Sequence, residues 1–183
     1  MSDEQYMQQL AEGNESAFDA LVFRYHNPLL GYIYRLLQDE KLAEDLVQDT
    51  FLKIYQKGRA GFIPISFKPW MYKIATNNCK DYWKKASTKK EVYTEEIIEK
   101  NEQIYHIIDH QIERKWMIES LNQLSIDYRT ALFLRFYQEL KYDEIALALD
   151  VPLNTVKTRI ARGLKQLETV LEQDKEKGEK TNE

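Results

Sequence analysis

Cysteine, glycine and proline are all scarce in this chain. One cysteine, Cys79, among 183 residues excludes a disulfide framework and a cysteine-based zinc site. Six Gly and four Pro leave few of the turn signals that an all-β chain needs. No apolar run approaches membrane-spanning length, and the opening residues MSDEQYMQQL are polar and acidic rather than secretory. The expectation is a cytoplasmic protein with no membrane insertion. Net positive charge is missing too: 26 Lys and Arg against 30 Asp and Glu leave −4, which argues against a generic polyanion binder. No phosphate-binding loop, HExxH pair or Ser or Cys nucleophile with a matching base is present, so no enzyme, no catalytic residue and no cofactor is expected. His106 and His110, spaced i, i+4 near Asp109 and Glu113, read as solvated side chains of an acidic stretch, and no metal is expected.

What the chain does have is helix-forming material. It is 43% hydrophobic and 31% charged, enough for a core, and Leu, Glu, Lys and Gln are plentiful. Its charge is segregated. Residues 68–90 hold seven Lys against Asp81 alone, and residues 91–113 hold seven acidic residues against Lys100 alone. A block of +6 therefore adjoins a block of −6, a pattern that suits local polyanion contact with an acidic connector behind it.

Helical periodicity runs through most of residues 5–84. Asn14 or Ser16 is placed to cap a helix with Phe18, Leu21, Val22 and Tyr25, and Asn27-Pro28 to start another with Leu29, Ile33, Leu36 and Leu37. A third helix is expected over about residues 41–56, and a fourth over about 67–85 after a loop with Gly61, Pro64 and Ser66. From Trp116 a second helical domain follows, with turns near residues 125–127, 140 and 150–152. The fold class is all-α: two small helical domains, 1–90 and 114–175, joined by an acidic linker, 91–113, and followed by a polar tail, 176–183.

The segment KYDEIALALDVPLNTVKTRIARGLKQLETVL has the layout of a helix-turn-helix. In its short helix Ile145 and Leu149 point inward, with Ala146 small enough for close approach of the next helix. Asn154 is expected to cap the long helix, on which Val156, Ile160, Leu164, Leu167 and Leu171 recur at core spacing. Opposite them fall Thr155, Thr158, Arg159, Arg162, Lys165 and Gln166. Arg and Gln suit base edges, and Lys157 on the flank suits phosphate. Acidic Glu168 and Glu172 come only in the last turns, so the face is not the mixed-sign one of an ordinary solvated helix.

Two helices of the first domain are also informative. In LAEDLVQDTFLKIYQ the apolar arc holds Leu42, Ala43, Leu46, Val47, Phe51, Ile54 and Tyr55. The opposite face holds Asp45, Gln48, Asp49 and Gln56 around Leu52, which fits either a protein contact with a polar rim or a lone exposed leucine. In SFKPWMYKIATNNCKDYWKK the expected buried side is Phe67, Met71, Ile74, Ala75, Asn78 and Tyr82. The other face gathers Lys73, Thr76, Asn77, Lys80 and Lys84, edged by Trp70. Lysines along a backbone, a stacking ring and an Asn are what single-stranded DNA contact requires; a core Trp beside solvated lysines is the alternative.

Taken together, AEDLVQDTFLKIYQ, FKPWMYKIATNNCKDYWKK and DYRTALFLRFYQELKYDEIALALDVPLNTVKTRIARGLKQL resemble the extracytoplasmic-function sigma factors of bacterial RNA polymerase, over roughly residues 17–171 in the same order and spacing. The resemblance implies a region-2 domain that binds the beta-prime clamp helices of core polymerase and opens the minus-ten element. It also implies a region-4 domain that binds the beta flap and reads the minus-thirty-five element of promoter DNA. Asp45, Gln48, Asp49 and Leu52 match the family's core-binding helix; Asn77 and Lys80 match its minus-ten helix. Arg159, Arg162 and Lys165 match its minus-thirty-five helix, and an anti-sigma factor is implied as a partner. One departure is the loop GFIPISFKPW, apolar where the family is usually polar. The rival reading is a stand-alone helix-turn-helix regulator that needs no polymerase; it leaves the region-2 match unexplained.

Overall fold

In the computed structural model, which describes residues 1–88 and 112–180, every regular element is an α-helix. The helices are α1 (Asp3–Ala11), α2 (Ser16–Leu37), α3 (Glu40–Arg59), α4 (Phe67–Thr88), α5 (Ile112–Asn122), α6 (Ile126–Phe136), α7 (Tyr142–Leu149) and α8 (Leu153–Lys180). They fall into two compact units, α1–α4 and α5–α8. Most of the expected acidic connector, with His106 and His110, lies outside the described residues, and α5 already begins at Ile112.

Local chemistry sets the helix ends. Ser2 and Gln5 form a reciprocal capping box on α1, with Ser2 N–H donating to Gln5 Oε1 at 2.7 Å. Asp39 Oδ1 accepts the Leu42 N–H at 2.9 Å and starts α3. Gln38, between α2 and α3, takes the left-handed conformation that ends α2, and its side chain donates back to the carbonyls of Tyr34 and Arg35. The expected break at Pro28 does not occur. Pro28 lies inside a single 22-residue helix, because Tyr25, Leu29, Leu30, Tyr32 and Ile33 on both sides of it are buried along that helix. Neither Asn14 nor Ser16 caps α2: Ser16 donates to Asn14 Oδ1 at 2.7 Å, and the capping position is Glu15.

In the first unit α2 packs against α1, α3 and α4, and α3 against α1 and α4. The core is Met7, Leu10, Leu21, Leu29, Ile33, Ile54, Phe67, Met71 and Tyr72, with Cys79 also buried. Burial pushes the Cys79 thiol up to about 12, as expected of a small packed residue and not of a reactive thiolate. Gly58 is required where α3 meets α1: a Cβ there would stand 2.5 Å from Leu10 Cδ2. In the second unit α8 packs on α6, α7 and α5. Gly163 is its point of close approach, with Tyr128 Cβ and Leu132 Cδ1 each 3.2 Å from where a Cβ would be.

Helix α1 also holds the first turn of α4. Glu4 Oε1 accepts the Phe67 N–H at 2.9 Å, and that hydrogen bond holds the Glu4 carboxyl below its ordinary value. Asp3 pairs with Arg24 and accepts the Tyr25 hydroxyl, tying α1 to α2. A depressed carboxyl stabilises the fold above the ordinary carboxylate range and loses that contribution as pH falls through the folded value. Glu4→Gln should therefore cost about 0.5–1 kcal/mol at neutral pH. In urea unfolding the difference from wild type should vanish in acid.

Candidate functional site

On α3 the expected division between faces holds. Ala43, Leu46, Val47, Phe51 and Ile54 are buried, while Asp45, Gln48 and Asp49 are exposed around Leu52, which is 54% exposed. Thr50, on the inner side, was absent from the expected arc. It is fully buried, donates to Leu46 O at 2.6 Å and accepts from Asn78 Nδ2 at 2.9 Å. Asn78 Oδ1 in turn accepts from Lys53 Nζ, so hydrogen bonds run from the buried Thr50 of α3 to α4 and back out to Lys53 at the surface.

Helix α4 is rotated from the expectation. Its buried side is Phe67, Met71, Tyr72, Ala75, Thr76, Asn78 and Cys79, whereas Ile74 is only half-buried and Tyr82 is exposed. Thr76, expected on the DNA side, is buried because its hydroxyl satisfies the Tyr32 hydroxyl at 2.7 Å, deep between α2 and α4. The outward side retains Asn77 and Lys84, exposed, with Lys73, Lys80 and Trp70 half-buried along its margin.

Trp70 is not the outermost ring. Phe62, from the loop before α4, lies 5.1 Å from it, and Phe67 lies 6.0 Å behind it and 5.3 Å from Tyr25. Phe62 is 45% exposed, with Lys57 Nζ 5.8 Å over its ring. Ile63 and Ile65 of the same loop are exposed. Residue-by-residue reading passed over Phe62 because it belongs to a loop, where helical periodicity carries no signal. Three large apolar residues in a six-residue turn, GFIPIS, are the signal that was available.

In the second unit Lys141 N–H donates to Glu144 Oε2 at 2.7 Å, at the start of α7. Asp150 ends α7 at φ 57°, in the left-handed region that Asp tolerates. The small buried residue of α7 is Ala148, with Ala146 only half-buried. Helix α8 begins at Leu153, so Asn154 sits inside its first turn and is not the cap. Buried along it are Val156, Ile160, Gly163 and Val170; Leu164, expected in the core, is 42% exposed. The inward arc is thus turned by about 40° from the one drawn through the leucines.

That rotation sorts the expected DNA side chains. Lys157, Thr158, Arg162 and Lys165 are exposed, as is Gln166, and Thr155 is half-buried. Thr158 Oγ1 donates to Asn154 O at 2.9 Å, leaving the hydroxyl oxygen as an acceptor toward the outside. Arg159 departs from the group. Its Nη2 is 2.9 Å from Asp127 Oδ2 on α6, and its side chain is mostly buried. On the other side of this unit Leu121, Leu132, Phe136, Tyr137, Leu164 and Leu167 line an apolar groove of about 290 Å³. Among the described residues no group of three or more His, Cys, Asp or Glu is arranged to hold a metal ion.

A buried amide with two partners should be far costlier to lose than its exposed neighbour. Asn78→Ala should cost about 1–3 kcal/mol by leaving Thr50 and Lys53 without it. Asn77→Ala, one residue away on the surface, should stay within about 0.5 kcal/mol. Denaturant unfolding of both variants checks the contrast.

Residues 21–88 match the model of Sigma-70 region 2, and residues 114–167 match that of Sigma-70 region 4. The chain is 29% identical over 181 residues to the RNA polymerase sigma-H factor of Pseudomonas aeruginosa, covering 93% of this chain and 94% of that one. It is 28% identical over 177 residues to the extracytoplasmic-function factor SigW of Bacillus subtilis, with 88% and 92% covered. Among solved structures it resembles CnrH, determined with the cytosolic domain of CnrY, at a TM-score of 0.70 and 23% identity, over 94% of this chain and 98% of that one. It also resembles the sigma factor RpoE of Bartonella quintana, determined with the anti-sigma factor NepR, at 0.69 and 24%, over 85% and 96%.

Proposed function

We propose, because this chain belongs to the sigma-70 family, a division of its surface among the tasks of an extracytoplasmic-function sigma factor. It directs RNA polymerase to specific promoters and helps open their DNA. The observation that carries this reading is the match to both regions, in order, on two separate helical units. A stand-alone helix-turn-helix regulator has no use for the first of them. No helix among the described residues is long and apolar enough to cross a membrane, and the workplace we assign is the cytoplasm, beside the polymerase.

Core polymerase is the partner we assign to Leu52 and its rim of Asp45, Gln48 and Asp49, an apolar side chain framed by acidic and amide groups. The apolar groove beside Leu164 and Phe136 is a second core contact, suited to the beta flap. Minus-ten DNA falls to Asn77, Lys73, Lys80 and Lys84, with Phe62 and Trp70 supplying stacked rings at the start of α4. Minus-thirty-five DNA falls to the exposed side of α8, where Thr155, Thr158 and Arg162 face base edges and Lys157 and Lys165 face phosphates. An anti-sigma factor is the regulatory partner, by analogy with the complex of RpoE with NepR.

Run-off transcription with core polymerase, with and without this chain, tests the reading. Core plus this protein that initiates no better than core alone on every promoter tried would refute it. The faces should fail separately. Asp49→Lys with Leu52→Lys should cost about 2–4 kcal/mol of core affinity in a competition assay. Arg162→Ala should weaken the closed complex by about 1–3 kcal/mol, and a pre-opened template should not restore it. Phe62→Ala and Trp70→Ala should instead slow opening, read as permanganate reactivity, and recover much of their run-off product on a template mismatched across the minus-ten region.

A further inference from the structure

We propose that Arg159 is a positioning residue: with Asp127 it forms a strut that sets the rotation of α8 on α6, so that Thr158 and Arg162 meet the bases. The inference rests on the sigma reading above and assigns a task to Asp127, which lies on no DNA-facing helix. An arginine that reads guanine needs two outward N–H donors in a fork. Arg159 does not offer them. Its Nη2 is engaged with Asp127 Oδ2 at 2.9 Å, its Nη1 is buried with no hydrogen-bond partner among the described residues, and its side chain is only 19% exposed.

Position along the helix says the same. Arg159 is three residues after Val156 and four before Gly163, both buried, so it leaves α8 at the edge that faces α6. One turn further on is Gly163, where a Cβ would stand 3.2 Å from Tyr128 Cβ and Leu132 Cδ1 of α6. Asp127 stands in the first turn of α6, where the positive end of the helix favours its carboxylate. One contact without a side chain and one ion pair, a turn apart, therefore define how α8 lies on α6. The close contact at Gly163 permits rolling; the ion pair resists it. Thr158 and Arg162 lie within about 40° of each other on the exposed side, and Arg159 stands about 60° beyond Arg162, toward the other helix.

The two roles make different predictions for the full chain bound to core polymerase. A strut aims every base contact on α8 at once and itself meets no phosphate. The long Lys157 and Lys165 side chains can follow a small roll and keep theirs. Arg159→Ala and Asp127→Ala should each weaken duplex promoter binding about tenfold, flatten base preference across the whole minus-thirty-five element, and leave the salt slope unchanged. Exchanging the pair, Asp127→Arg with Arg159→Asp, should recover binding to within about threefold of wild type, because the strut is rebuilt with its charges reversed. Selection from a library randomised over the element, with binding measured over a salt series, reads all three.

A direct contact would look otherwise. Arg159→Ala would lose preference at a single base pair, or lower the salt slope by about one, and the exchanged pair would remain as weak as Arg159→Asp alone. Either result overturns the strut. If thermal melting shows that the exchanged pair does not fold, Arg159→Lys decides, since Lys keeps the ion pair and loses the fork. Retained base preference supports the strut, and lost preference overturns it. Wild-type protein that gives core polymerase no promoter preference at all refutes the sigma reading itself, a separate failure.

Discussion

The rotation of α4 against α3 is held by one buried hydrogen bond, from Asn78 Nδ2 to Thr50 Oγ1. Apolar packing holds the roll of either helix only through steric fit, which repacked side chains can satisfy in more than one way. A buried amide does not slide, since moving it strands two polar groups away from water. Each end of that bond lies beside a functional face. Thr50 follows Asp49 and precedes Leu52 on the proposed core-binding side, and Asn78 follows Asn77 on the proposed DNA side. A single constraint inside the core thus fixes where two outer surfaces point.

The fold class and most of the helices were legible in the sequence, because amphipathic helices announce themselves by period. The exception was α2, where Pro28 reads as a break and buried side chains carry the helix through. Phase was harder. On α8 the leucines suggested an inward arc through Leu164, but Gly163 occupies the centre of the true one, and a residue without a side chain leaves no hydrophobic trace. On α4 the buried Thr76 displaced the arc for a related reason: its polarity suggested exposure, whereas Tyr32 supplies the partner that makes its burial tolerable. Thr50 does the same for Asn78, which the sequence already placed inside. Of the candidate site, Leu52 and its rim lie on the exposed face that the sequence suggested. Trp70 lies behind Phe62 and Arg159 turns toward α6, and both depend on neighbours distant enough in the chain that no period reports them.

Charge placement follows from the same economy of faces. The chain is acidic overall, yet Lys157, Arg162 and Lys165 share the outer side of α8, and Lys73, Lys80 and Lys84 share a side of α4. Screening limits exposed charges to neighbours within about 8–10 Å at physiological salt. Each basic face can therefore attract phosphate locally while the whole molecule repels bulk nucleic acid, a condition that favours contacts made where polymerase has already brought the DNA close.

Gly163 makes the second unit something of a hinge pin in evolutionary terms. A methyl group there would meet α6 side chains at 3.2 Å, tighter than ordinary packing, and act as a shim between two helices whose relative roll decides which side chains enter the groove. Promoter preference in such a protein need not drift only by exchange of the residues that touch bases. It can drift by thickening or thinning a contact on the dry side of the helix, leaving the alphabet of readers intact while changing where each is aimed.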